Sequence, residues 1–209
     1  MARNLDPKCK QCRRLGEKLF LKGERCNTVK CGMVKRNFPP GFHGAKGRPR
    51  PTEYGLQLAE KQKAMKEYRI LEKQLRLTFN KAKHVSGDLG ENFLRLLEAR
   101  LDNVIYRSGL TDSRDQARQL VNHGHFMVNN RKVSIPSFQV KTGDLITIRV
   151  SSKRAKPFVN LTDRMKKQKL PGWLNFDPET SATKVLHLPK KDDLATNINP
   201  YMIVEFYSR

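Results

Sequence analysis

The sequence predicts an α+β fold. It has a cysteine-bearing N-terminal segment, a mainly helical domain, and a domain of helices packed on a small antiparallel sheet. Three observations carry that reading. Apolar residues recur every three or four positions from about 65 to 121, the period of one helix face. Beyond 125 they alternate in short runs separated by turn residues, the period of strands. All four cysteines lie between Cys9 and Cys31, ahead of both patterns.

The cysteines are spaced as Cys9-x2-Cys12 and Cys26-x4-Cys31. The N-terminus "MARNLDPK" lacks the apolar stretch of a secretion signal. A cytosolic chain of this kind does not keep disulfides. Two close pairs of thiolates match a structural zinc site, closed by four sulfurs with no position left for a catalytic water. Reduced cysteines without metal and an iron–sulfur cluster are the alternatives. Residues 38–51, "FPPGFHGAKGRPRP", hold four prolines and three glycines. This reads as an extended basic loop that keeps Lys46, Arg48 and Arg50 exposed.

A helix is expected over 53–84, capped by Thr52 and striped by Met65, Tyr68, Leu75 and Phe79. "HVSGDLGE" ends it. Leu94, Leu97, Leu101 and Val104/Ile105 mark a second helix, closed by "RSG" at 107–109. Ser113 starts a third, with Ala117, Leu120 and Val121 inward and Gly124 at its left-handed end. "HFMVNN" and "RKVSI" form a hairpin about Asn129-Asn130, whose side chains tolerate positive φ. A Gly143-Asp144 turn precedes a strand through Ile146, Ile148 and Val150. Residues 151–170 read as basic and partly helical, "WLNFDPETSATKVLHL" as a further hairpin, and "YMIVEFYSR" as a terminal strand. The boundaries expected are 1–44, 45–92 with C-terminal residues as candidates to complete it, and 93–209, with a module core at about 98–160.

The chain carries 42 lysines and arginines against 20 acidic residues, a formal charge of +22. Residues 1–50 alone hold 14 basic residues and 3 acidic ones. Such an excess calls for a polyanionic partner, and nucleic acid is the default. No apolar run approaches the roughly 20 residues of a membrane helix. No basic amphipathic helix carries the apolar face of a membrane-surface binder. Arg13 and Arg14 lie among the cysteines. Arg114 and Arg118, four apart, are expected on one exposed face of the third helix. Gln119, His123 and His125 cluster at its end, and Arg131 and Lys132 follow on the hairpin. Together they suit phosphates and the 2′-hydroxyls of an RNA minor groove.

Here the motifs converge on a family. "RLD", "SRDQARQLV" and "VNNR" within 100–131 resemble the RNA-binding module named after small-subunit ribosomal protein four, with Asn130 where glycine is commoner. "MARNLDPKCKQCRRLG", "PPGFHGAKGRPRPTEYGLQLAEKQK" and "INPYMIVEFYSR" are similar to the bacterial family of that protein, over nearly the whole chain. The four-cysteine pattern resembles the family's zinc-containing type, which implies one structural Zn²⁺ on Cys9, Cys12, Cys26 and Cys31. The resemblance further implies direct binding of 16S rRNA and early nucleation of the 5′ domain of the 30S subunit. It also implies a place beside ribosomal protein five near the messenger RNA channel, a part in translational accuracy, and a cytoplasmic location. Lys46, Arg48 and Arg50 map onto the channel loop.

An enzyme is not expected, nor a small-molecule substrate. Asp102 in "RLD" matches the nucleophile tripeptide of some pseudouridine synthases, but it lies inside a helix of the module, without a separate catalytic domain. No phosphate-binding loop and no nucleophile elbow is present. A zinc-containing DNA-binding regulator is the other competing reading, and it lacks a dimer signature.

Overall fold

The computed structural model describes residues 4–47, 50–158, 170–177, 180–194 and 197–209. The chain forms two compact units, residues 1–93 with 196–209, and residues 94–195.

The first unit contains α1 (Lys8–Leu15), α2 (Gly32–Lys35), α3 (Glu53–Glu67) and α4 (Glu72–Lys83). Thr52 caps α3 as expected, its Oγ1 accepting from the Gly55 N–H at 3.2 Å. The single helix expected over 53–84 is instead two. The chain leaves the helix at Arg69, which takes φ 55, a left-handed value that costs a non-glycine residue energy. Tertiary contacts offset that cost. The buried Arg69 guanidinium donates to Gln11 Oε1 at 3.1 Å and to the Asn4 carbonyl at 2.7 Å. The stripe residues Leu75 and Phe79 are buried all the same.

The segment "YMIVEFYSR" is not a strand but part of a helix, α8 (Pro200–Ser208), which packs on α3. Its start carries two helix signals. The Asn199 side chain accepts from the Tyr201 N–H, and Pro200 occupies the first turn. Ile203 is fully buried, Gln57 Nε2 donates to Glu205 at 2.9 Å, and Tyr207 donates to Glu72 at 2.7 Å. The Tyr207 ring lies 4.7 Å from that of Phe79. Residues 197–209 thus complete the helical unit.

The helix α5 (Leu89–Glu98) spans the division between the units in sequence. The second helix of the sequence reading, through Leu94 and Ile105, is split into α5 and α6 (Leu101–Arg107). At the break, the backbone pairs with a distant loop: Val140 N–H donates to the Ala99 carbonyl at 2.9 Å and Leu101 N–H to that of Phe138 at 2.8 Å. In α7 (Arg114–Asn122) the Ser113 cap is present, accepting from Gln116 N–H at 3.3 Å, and Gly124 follows at φ 72.

A five-stranded antiparallel sheet runs in the order β2 (Arg131–Lys132), β1 (Phe126–Val128), β3 (Leu145–Ile148), β5 (Ala182–Val185), β4 (Leu174–Asp177). Asn129 and Asn130, at φ 48 and 63, make the β1–β2 turn, the pair of positive values a type I′ hairpin needs. Met127 faces Lys132 and Thr147, and Ile146 faces Thr183. Leu101, Val104 and Ile105 of α6, Ala117 and Val121 of α7, and Phe126, Ile146 and Val185 of the sheet bury fully around Trp173. After β3, short 3₁₀ turns occupy Val150–Ser152 and Lys156–Phe158; the rest of the 151–170 expectation lies largely outside the described residues.

Candidate nucleic-acid interface

The sheet ends at β2, so Arg131 and Lys132 stand exposed on an outer strand. The Lys132 stem lies across Gly124, where an added Cβ would come within 2.3 Å of Cε. The exposed end of that lysine could move aside for a Cβ, so it is the positive φ that calls for glycine here. Gln119 and His123, near and just past the end of α7, are exposed, and the His123 and His125 rings are 6.0 Å apart. His125 is half-buried, with Nδ1 2.9 Å from Ser152 Oγ. Burial, then the charges of His123 and Arg149, push the His125 imidazolium below the usual histidine range. At neutral pH this ring is a hydrogen-bonding group rather than a cation.

Arg149 is a residue the sequence reading missed. It is exposed, and its N–H donates to the His125 carbonyl at 2.9 Å. Its signal was available, since it follows the buried Ile148 in an alternating strand and so faces outward. Gln119, His123, His125, Arg131, Lys132 and Arg149 give the second unit a cationic, hydrogen-bonding ridge without a carboxylate among them.

Arg114 and Arg118 are not on an exposed face, which corrects the sequence expectation. They are 7% and 5% exposed. Arg114 Nε donates to Asn103 Oδ1 at 2.8 Å, and its guanidinium lies 4.6 Å from the centre of the Tyr106 ring. Arg118 Nη1 donates to Asp102 Oδ2 at 3.2 Å. The same carboxylate takes two bonds from Arg100, at 3.1 and 2.8 Å. Asp102 is therefore the centre of a buried ion cluster, committed to two arginines, and not poised as a nucleophile.

In the first unit, Arg13 is a structural clamp. It donates to the carbonyls of Phe38 and Pro39 at 2.9 and 3.2 Å and lies 4.8 Å from the centre of the Phe38 ring. Arg14 is exposed, and its charge adds to burial in pushing Lys66 down. The basic loop is not wholly extended, because Phe42–Lys46 forms a 3₁₀ turn. Lys46 and Arg50 are exposed as expected, and Arg48 lies outside the described residues.

Cys12, Cys26 and Cys31 are buried and Cys9 is half-buried. The two pairs meet where Gly32 passes Cys9: an added Cβ would sit 2.9 Å from Cys9 Cβ and 3.3 Å from its sulfur. Burial raises the Cys12 pKa and the charges of the other three thiols raise it further, against a hydrogen bond from the Leu19 backbone. Four thiols sharing one small cluster fit a tetrathiolate donor set in chemistry. Among the described residues, however, no group of three or more His, Cys, Asp or Glu side chains is placed to hold a metal ion. Elsewhere, the His43 ring is in edge-to-face contact with that of Phe42, and His187 Nδ1 lies 3.7 Å from Asp193 Oδ2.

Two family profiles divide the chain much as its units do. The Ribosomal protein S4/S9 N-terminal domain matches residues 3–98, and the S4 domain matches residues 99–146. The small ribosomal subunit protein uS4 of Syntrophomonas wolfei is 49% identical over 209 residues, all of both chains. The chain belongs to the uS4 family. The uS4 proteins of Desulforamulus reducens and Clostridioides difficile strain 630 are 50% and 48% identical, again over the full length of both chains. uS4 proteins are structural components and not enzymes, in keeping with the committed state of Asp102. The cationic ridge belongs to the uS4 module that the S4-domain profile covers, extended by Arg149 just beyond its last matched residue. Among the described residues, no helix of this uS4 chain is long and apolar enough to cross a membrane.

Proposed function

We propose that this chain is a structural protein of the small ribosomal subunit in the cytoplasm, binding 16S rRNA directly and nucleating the 5′ domain early in assembly. The observation that carries this reading is the exposed ridge of Arg131, Lys132 and Arg149 beside Gln119 and His123. Arginine and lysine reach phosphates, while the glutamine and histidine side chains hydrogen-bond 2′-hydroxyls across a wide, shallow minor groove. The buried ion cluster fixes α6 against α7 and so holds that ridge rigid. In this reading the basic loop that carries Lys46 and Arg50, with Arg48 between them in sequence, contacts messenger RNA at the channel, beside ribosomal protein five, a position through which the protein supports decoding accuracy.

Cys9, Cys12, Cys26 and Cys31 hold one structural Zn²⁺ in this reading. The approach of Gly32 to Cys9 and the burial of three of the four cysteines support it. A bound dication would hold the cysteines as thiolates, and the surrounding lysines and arginines would balance the net charge of the centre.

A filter-binding titration tests the RNA reading. A 5′-domain transcript of 16S rRNA is compared with an unrelated folded RNA of equal length across a salt series. Selective binding that survives raised salt is expected. Arg131→Ala with Lys132→Ala should weaken it by about 1–3 kcal/mol and lower the salt slope by about two. Equal binding to both RNAs, lost together as salt rises, would overturn the proposal.

A further inference from the structure

Phe42 is 96% exposed, the most exposed of the large apolar side chains among the described residues. It does not sit on a floppy tail. The turn that carries it is pinned on both sides. Arg13 on α1 holds the carbonyls of Phe38 and Pro39. Gly44 is buried so closely under Pro39 that an added Cβ would come within 1.9 Å of the Pro39 oxygen. Gly41 supplies a φ of 114, and Gly44 N–H returns to its carbonyl at 3.2 Å. The Phe38 ring is already covered by the Arg13 guanidinium, whereas among the described residues the ring that Phe42 meets is that of His43, 5.1 Å away and nearly perpendicular, at 87°.

A rigidly presented aromatic ring in water wants a flat apolar partner. A protein partner would use a contiguous apolar patch, and the turn offers none: Gly41, His43, Ala45, Lys46 and Gly47 are its exposed neighbours. The charges that flank it, Arg36 before and Lys46 and Arg50 after, are all positive and exposed. An aromatic face beside cations that track a phosphate backbone is the arrangement that binds unpaired nucleotides.

We propose that Phe42, with His43 bracing its ring, is a stacking platform for one unpaired RNA base, with Lys46 and Arg50 on the adjoining phosphates. This deepens the RNA-binding reading above and rests on it. The partner is single-stranded RNA, read by the π-face of a base and so without strong sequence preference.

The test uses the full chain and a single-stranded oligoadenylate probe of about twelve nucleotides, a length that fits such sites. Phe42→Ala and Phe42→Leu are each expected to lower affinity roughly tenfold, and Phe42→Tyr to retain it, because stacking on one aromatic is worth about that much. Phe42→Trp supplies a reporter whose fluorescence should be quenched on binding; the native Trp173 is 1% exposed and contributes a constant background. The same probe with abasic sugars should bind all variants alike. Affinity unchanged in the alanine and leucine variants, or no quenching in the tryptophan variant, overturns the platform while leaving the RNA reading intact. Failure of the native chain to bind either the oligoadenylate or the 5′-domain transcript overturns both. Loss of affinity in the alanine variant that leucine restores would mark Phe42 as an apolar contact, not a stacking one, and also overturns the platform.

Discussion

At the scale of single residues, Asp102 shows how one carboxylate can organise a module. It is 4% exposed and holds Arg100 through two bonds and Arg118 through one, while also accepting the Asn103 N–H at 3.0 Å. A second cluster adjoins it, where buried Glu98 takes two bonds from Arg107 and one from Asn103. Burial favours the neutral form of Arg118, and the Asp102 charge beside it keeps the guanidinium ionised. Breaking such a cluster from one side strands the opposite charges out of water. Asp102→Asn is therefore expected to destabilise the second unit by about 3–5 kcal/mol, read as a fall in the denaturation midpoint. A variant as stable as the native chain would show that the cluster does not hold α6 to α7. The same geometry changes what Arg114→Ala and Arg118→Ala would report: loss of stability, and RNA affinity only through it. The sequence could not reveal this. Two arginines four apart share a helix face, but which face is buried depends on Asn103, 11 positions from Arg114, and on Asp102, 16 positions from Arg118.

At the scale of elements, local rules sufficed wherever the chain decides by itself. The caps at Thr52 and Ser113 are satisfied by atoms three positions away, and Gly124 and the asparagines at 129–130 are residue types that tolerate the positive φ they adopt, so these features were legible. The misread elements are those settled by distant partners. Arg69 breaks the first long helix because Asn4 and Gln11 take its guanidinium. Ala99 and Arg100 break the second because residues 138–140 pair with the backbone there. The final segment carried helix-start signals at Asn199 and Pro200, but a dense apolar run has no clear period, and the strand reading followed from that density. Its packing now yields a test. Ile203 is fully buried between α8 and the rest of the helical unit. Ile203→Ala should cost about 2–5 kcal/mol, with hydrogen-exchange protection lost in α3 and α8. Protection unchanged in α3 would mean that α8 is an ornament on the unit instead of part of its core.

At the scale of the whole molecule, charge and core are distributed in opposition. The first 50 residues carry the densest positive charge, and their own apolar core is small: Cys12, Leu19, Leu21, Cys31 and Met33, with Leu15 partly buried beside them. A cluster of that size cannot by itself hold a segment whose like charges repel. Contacts from the helical unit help, through Arg69 to Gln11 and a 2.7 Å bridge between Lys63 and Glu17. Two of the five core residues are themselves proposed zinc ligands, so the metal and the core would stand or fall together. The cysteine spacing is what suggests a tetrathiolate site; the convergence of Gly32 on Cys9 did not follow from spacing, because it depends on how α2 returns to α1. If Zn²⁺ binds there, metal analysis of the native chain should give about one zinc per molecule. A tight chelator should then open residues 1–34 to proteolysis while residues 94–195, whose core is continuous and cysteine-free, stay protected. Proteolysis of 1–34 unchanged by the chelator would leave the packing around Leu19 and Leu21, together with the Arg69 and Lys63 ties, as what orders the segment, and the four cysteines as thiols without a metal.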